Sequence, residues 1–226
     1  MNIGVLGTGM VGQVVGAALA AKGHSVMIGT RDVQKSLASS EPNAYGMPAF
    51  GIWHKDNQHI KVGTFAEAAK FGELLVNATS GLASLDALKT AGIENLGSKV
   101  LIDIANELDF SKGMPPRALA NTDRSLGEDI QAAFPTLKVV KTLNTMNAFV
   151  IVNPALVKGG DSTVFINGND ADAKASVTEI LKSFGWQDIM DLGDITASRA
   201  VEMILPLWLK AWGVIGNTPF NFKMAR

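Results

Sequence analysis

Gly7, Gly9 and Gly12 form a G-x-G-x-x-G pattern directly after the apolar residues Ile3, Val5 and Leu6. That spacing suits a main-chain grip on a pyrophosphate. The first glycine permits the tight turn out of a strand, the second lets the backbone approach the phosphates, and the third allows a helix to pack closely while its N-terminus faces the charge. Glycine turns are common, so the flanking residues carry the argument. Val11 to Ala21 reads as a helix stopped by Gly23, and His24 to Ile28 as the next strand. Gly7, Thr8, Gly9, Met10, Val11 and Gly12 are therefore expected to cradle a dinucleotide, the alternative being a purely structural strand-turn-helix.

The end of the second strand distinguishes the two dinucleotides. NAD binders place an acidic side chain there for the adenosine ribose 2′-hydroxyl, whereas NADP binders supply cations and hydroxyls for a 2′-phosphate. Here the chain reads Gly29, Thr30, Arg31, Asp32, Val33, Gln34, Lys35. Thr30 can donate a hydrogen bond, Arg31 can pair with phosphate through its planar fork, and Lys35 returns one helical turn later as a second charge. NADP is favoured. The competing reading makes Asp32 a helix cap and Arg31 a solvated charge, and Asp32 keeps NAD as the weaker option.

Residues that follow the other strands face the crevice where open α/β sheets bind ligands. They are Thr79 and Ser80, Ala105 and Asn106, and the run Asn144, Thr145, Met146, Asn147. These small polar groups can bond an amide, a ribose or a second ring without adding charge; each one alone is more often a turn residue, and it is their recurrence at three strand ends that favours a ligand role. No catalytic acid or base is evident. The single tyrosine, Tyr45, has Ala49 four residues later, which excludes a Tyr-x-x-x-Lys pair. His24 is read as structural and His54 and His59 as solvated. No Ser/His/Asp constellation or metal-ligand spacing is visible. Hydride transfer between a nicotinamide and a flavin-like ring needs chiefly stacking, distance and a few hydrogen bonds, so such a partner fits better than a ketone or alcohol.

The elements that position these groups alternate regularly. Further strands are expected at Ile60 to Val62, Leu74 to Ala78, Lys99 to Ile104, Lys138 to Leu143, Thr163 to Asn167 and Trp186 to Met190, with intervening helices at Ser84 to Ala91, Ser125 to Ala133 and Ala171 to Phe184. Thr64 and Glu67 have capping-box spacing. This predicts an α/β, Rossmann-type, doubly wound and mostly parallel sheet, with a small C-terminal α/β cap from about residue 154 that ends in an apolar helix near Thr196 to Val214. Residues 1–226 read as one domain. Ser39 to Gln58, rich in Pro, Gly and aromatics, is long for a connection and reads as a flap or a packed excursion. Arg199 and Glu202 have the spacing of a surface ion pair.

Hydrophobic residues make up 47% of the chain and charged residues 18%, with a net charge of -1. Nothing suggests a nucleic-acid or membrane partner, and small molecules are expected instead. The absence of cysteine excludes disulfides, thiolate metal sites, iron-sulfur clusters and a cysteine nucleophile. A cytoplasmic location is expected, since a strand begins at residue 2 and Glu202, Pro206 and Lys210 interrupt the longest apolar run.

With these residues in place, the chain resembles the deazaflavin (coenzyme F-420)-dependent NADP reductase family and the related cytosolic reductase domain of six-transmembrane metalloreductases. The matching elements are Gly7 to Gly12, Gly29 to Arg31, Val140 to Met146, and Leu192 to Arg199 with Glu202 and Pro206. The resemblance implies that Thr30, Arg31 and Lys35 hold the 2′-phosphate, that Thr79 and Ser80 lie near the nicotinamide, and that Asn144, Thr145 and Met146 face the acceptor ring. It further implies a homodimer in which the C-terminal segment, with Trp208 and Trp212 on one face, packs on the partner, the alternative being core packing of that face within a monomer. Asn144 stands where deazaflavin reductases can have histidine, which leaves a flavin as an alternative acceptor. The reading is an oxidoreductase moving hydride between NADP(H) and a deazaflavin or flavin-like ring; the alternatives are an NADPH-dependent carbonyl or imine reductase and a non-catalytic NADP(H) sensor.

Overall fold

The computed structural model describes residues 1–42, 47–216 and 219–226; Tyr45 lies outside them. In chain order the elements are β1 (Asn2–Leu6), α1 (Met10–Ala21), β2 (Ser25–Thr30), α2 (Val33–Leu37), α3 (Phe50–Asp56), β3 (Lys61–Thr64), α4 (Phe65–Phe71), β4 (Leu74–Asn77), α5 (Gly81–Ala91) and α6 (Ile93–Leu96). There follow β5 (Val100–Asp103), β6 (Leu108–Asp109), β7 (Arg117–Ala118), α7 (Leu126–Ala133), β8 (Lys138–Thr142), α8 (Ala148–Val152), β9 (Thr163–Gly168), α9 (Ala171–Phe184), β10 (Asp188–Asp191), α10 (Ser198–Met203) and α11 (Leu205–Ile215).

Eight strands form one sheet in the order β10-β9-β8-β5-β4-β1-β2-β3. Every neighbouring pair is parallel except β8 and β9, where Lys141 faces Asn167 across an antiparallel ladder. The order reverses at β1, so α1 and α5 leave on either side of the crevice that a doubly wound sheet uses for ligands. Alternation along each strand feeds two cores. Ile3, Val5, Val76, Ile102 and Val140 belong to one face, and Leu6, Leu75, Leu101 and Val139 to the other. Each such side chain, fully withdrawn from water, is worth about 1.5–3 kcal/mol, which is why the strands are near-continuous apolar runs.

Local chemistry starts and stops the helices. Thr64 and Glu67 make the expected reciprocal capping box, Asp170 accepts from Ala173 N–H at the head of α9, and Gly185 ends that helix with φ 104°. The C-terminal α/β unit adds β9 and β10 to the same sheet.

Two expectations change, and one small element is new. The apolar segment near Thr196 to Val214 is not one helix: a 3-10 turn at Ile195–Ala197 leads into α10, and α11 begins afresh at Leu205. Pro206 is the cause, because it lacks an N–H and its ring crowds the carbonyl four residues back. The excursion at Ser39 to Gln58 contains α3, whose Phe50 packs against Trp53 and His54 with ring centroids 5.5 and 5.9 Å away. His54 Nε2 also lies 2.9 Å from Ile60 O, so this ring is engaged and not merely solvated. Residues 108–118 form the small hairpin β6-β7, whose two-residue strands are too short to show a period. Among the described residues no helix is long and apolar enough to cross a membrane, and no cluster of three His, Cys, Asp or Glu residues could hold a metal.

Candidate cofactor site

A cleft of about 820 Å³ opens over the C-terminal ends of β1, β2 and β4. Its floor is the glycine turn. Gly7 has φ 119°, which L side chains rarely adopt, and a Cβ there would stand 2.5 Å from Ala78 O. Gly12 lies under the turn, where a Cβ would collide with Gly7 O. Gly9 differs: a Cβ would meet nothing within 4 Å, so the space above it is open to a ligand. No side chain caps α1 and its first turn holds no acidic residue, which leaves its leading N–H groups, from Met10, Val11 and Gly12, for an anion. The turn therefore fits a pyrophosphate.

The other end of the cleft fits a second phosphate. Thr30, Arg31 and Lys35 all line it, with Thr30 only 7% exposed. Asp32 caps α2 by accepting from Lys35 N–H at 2.9 Å, so one of its oxygens is already engaged. The structure adds two groups that the sequence reading missed. Ser36 Oγ lies 2.7 Å from Thr30 Oγ1, and Ser39 Oγ donates to Ser36 O while accepting from Gly51 N–H. Both serines line the cleft, bringing α3 and the excursion to the cofactor. Their signal was hidden because it depends on α2 ending at Leu37, after barely one turn.

Thr79 and Ser80 line the cleft at the tip of β4. Asn106, Asn144, Thr145 and Met146 do not; they sit beside it at the tips of β5 and β8. Asn144 is 3%, Thr145 2% and Met146 9% exposed. Asn106 Nδ2 donates to Asn144 O at 2.8 Å, while Asn144 Nδ2 donates to Asn106 Oδ1 and to Val201 O. The Asn144 amide is thus engaged with α10. Leu143, just before it, has φ 62°, a left-handed turn that sends Asn144 sideways toward Asn106.

Beneath these tips lies a buried charge cluster. Lys141 Nζ donates to Asp103 Oδ2 at 2.9 Å and Ala105 O at 2.6 Å, and pairs with Glu202 Oε1 at 3.0 Å. Burial works to strip the ammonium of its proton, but the Asp103 and Glu202 charges outweigh it and hold Lys141 above the usual lysine range. Glu202 also accepts from Leu126 N–H and Gly127 N–H, so it caps α7 from another helix. This corrects the expected Arg199–Glu202 surface pair. Arg199 forks onto Glu128, and Glu202 turns inward instead.

The sheet order, glycine turn and open helix N-terminus define a Rossmann-type dinucleotide-binding protein. Comparison with known proteins narrows this class. Residues 2–107 match the family model described as NADP oxidoreductase, coenzyme F420-dependent. A crystal structure from Arthrobacter sp. FB24, provisionally described as an F420-dependent NADP-reductase, is 54% identical, with 99% of each chain covered and a TM-score of 0.93. The F420-dependent NADP reductase of Methanocaldococcus jannaschii is 27% identical over 92% of this chain and 90% of its own. Metalloreductase STEAP3 of Rattus norvegicus is 24% identical over 94% of this chain, which spans only 38% of the rat protein. The chain belongs to the F420-dependent NADP oxidoreductase family and is an NADP-dependent oxidoreductase.

Proposed function

We propose that this protein transfers hydride between NADP(H) and the deazaflavin F420 or a related flavin-like ring. The observation that carries the cofactor half is the group of Thr30, Ser36, Arg31 and Lys35 around one end of the cleft. Two hydroxyls and two cations are the donors that a ribose 2′-phosphate requires, and an NAD ribose does not. Gly7, Thr8, Gly9 and the first turn of α1, including Met10, Val11 and Gly12, would hold the pyrophosphate. Thr79 and Ser80 would border the nicotinamide. When bound, NADPH supplies the hydride; the protein would align the two rings, exclude water from between them and set their spacing.

Family membership supports F420 as co-substrate. The acceptor would lie across the crevice from Thr79, against the wall built from Asn106, Asn144, Thr145 and Met146. Because the Asn144 amide is engaged, this wall would act through its shape and through the α10 backbone it holds. Residues 1–226 would operate as one unit. The exposed apolar side of α11, with Leu207 60%, Val214 81% and Ile215 53% exposed, is where a second copy would pack, and light scattering tests that homodimer.

Rapid mixing with NADPH and F420, FMN or FAD tests the activity. Loss of nicotinamide absorbance with at least one ring is the expected outcome. Tight NADPH binding with no oxidation by any ring would defeat the proposal.

A further inference from the structure

The buried charge cluster continues, bond by bond, to the wall of the cofactor cleft. Asp103 is fully buried, and its Oδ1 accepts from Asn77 Nδ2 at 2.8 Å and from Ala105 N–H at 3.2 Å. A carboxylate can only accept. Asn77, also fully buried, must therefore turn its NH₂ toward Asp103 and its carbonyl the other way. That carbonyl receives the Thr79 hydroxyl at 2.7 Å and the Thr79 N–H at 3.3 Å. Ser84 takes the second Asn77 N–H at 3.0 Å and lies 2.9 Å from Thr79 Oγ1 and 3.2 Å from Ser80 O. The one hydroxyl proton of Thr79 is thus drawn inward. What Thr79 can offer the cleft is a lone pair.

We propose that Lys141 and Asp103 are positioning residues that, through Asn77, fix Thr79 as a hydrogen-bond acceptor toward the cleft, so that this point selects a ligand carrying an N–H donor. The inference rests on the NADP reading, in which the donor is the carboxamide NH₂ of the nicotinamide. Lys141 is fully buried and reaches the cleft only through these bonds. Its ammonium donates to Asp103 Oδ2 at 2.9 Å, which leaves both Asp103 oxygens as acceptors and sets the sense of each following bond. A cluster serving stability alone would need no particular sense at Thr79.

The probes are NADP⁺, its 3-acetylpyridine analogue, in which a methyl replaces the NH₂, and 2′,5′-ADP, which lacks the nicotinamide half. Dissociation constants are measured by calorimetry on the whole protein. The wild type is expected to bind NADP⁺ about tenfold or more tighter than the analogue, the worth of one well-placed hydrogen bond whose loss strands a buried group. In Asp103→Asn the Lys141 ammonium, which can only donate, takes the amide oxygen, so the N–H₂ faces Asn77, the sense of the chain is reversed and the ratio falls toward one, while 2′,5′-ADP binds as before. Asn77→Ala removes the acceptor of the Thr79 proton and gives the same collapse, so the question is decided even if Asp103→Asn does not fold. Thr79→Ser keeps the ratio and Thr79→Val loses it. An unchanged ratio in a folded Asn77→Ala or Asp103→Asn variant, or equal weakening of NADP⁺ and 2′,5′-ADP, overturns the proposal. Failure of the wild type to bind either NADP⁺ or 2′,5′-ADP overturns the cofactor reading, and this one with it.

Discussion

Gly9 and Gly12 look alike in the sequence but are glycines for different reasons. Gly9 has φ -72° and open space above it, so Gly9→Ala should fold with an unchanged melting temperature and lose cofactor affinity, read by calorimetry. Gly12→Ala should lose stability first, because its methyl would strike the carbonyl of Gly7. Arg31→Ala separates the phosphate reading from a solvated charge. A charge-assisted bond to phosphate is worth about 1.5–3 kcal/mol, so NADPH affinity should fall some tenfold to a hundredfold while the weaker NADH affinity stays put. Equal losses with both cofactors would remove Arg31 from the 2′-phosphate site.

At the scale of elements, Glu202 ties α10 to the head of α7 and to Lys141 in β8. Glu202→Ala should cost about 3–5 kcal/mol, measured from urea midpoints, because breaking a buried pair strands its partner. Glu202→Gln, which keeps an acceptor for Leu126 N–H or Gly127 N–H, should cost less. The neighbouring Arg199–Glu128 contact has a pH signature. Hydrogen bonding by Arg199 is the main reason Glu128 titrates below the usual glutamate range, against the opposing effect of burial. A depressed carboxylate contributes stability that is present above its unfolded pKa and is lost as pH falls through the folded one. Acid titration of the wild type should therefore show a stability loss below the ordinary glutamate range that is smaller in Arg199→Ala.

The difference between these two residues shows what was legible. Strands such as Leu74–Asn77 and Val100–Asp103 announced themselves because parallel strands buried on both faces are apolar throughout, and the glycine turn because its spacing is backbone geometry. The place of Thr30, Arg31 and Lys35 on the cleft was readable because they lie at and just after the end of the second strand. Ser36, Ser39 and Lys141 were not, since their partners come from folding: a helix of one turn, a returning excursion, and a carboxylate 61 residues away at Glu202. Arg199 and Glu202 were misread because i,i+3 spacing assumes a solvated helix face, whereas α10 lies against α7 and the strand tips.

Over the whole molecule, the last residues are stitched to the sheet. Thr163 N–H donates to Phe222 O, and Asp188 gathers Thr163, Lys223 and Arg226. The Thr163 hydroxyl, then Lys223, hold the Asp188 carboxyl at about 2. The tail contact should accordingly persist above the ordinary aspartate range and fail as pH drops toward 2, with hydrogen exchange at Met224 N–H as the readout. Asp188→Asn should speed that exchange already at neutral pH. Unaltered exchange in that variant would leave the tail held by its backbone bonds alone.

The antiparallel pairing of β9 on β8 has a consequence for which parts of the chain meet at the crevice. Reversing direction there brings the start of β9, and with it the stitched tail, to the same end of the sheet as the glycine turn, where α10 also packs on Asn144. The cofactor cleft is lined by residues between Gly7 and Thr90, and the proposed acceptor wall draws on residues from Asn106 onward. The residues that line the two places thus come from separate stretches of chain, tied to each other by the buried bonds from Lys141 through Asp103 and Asn77 to Thr79. The family model, which matches residues 2–107, covers the cofactor stretch and stops just past Asn106, close to where the second stretch begins.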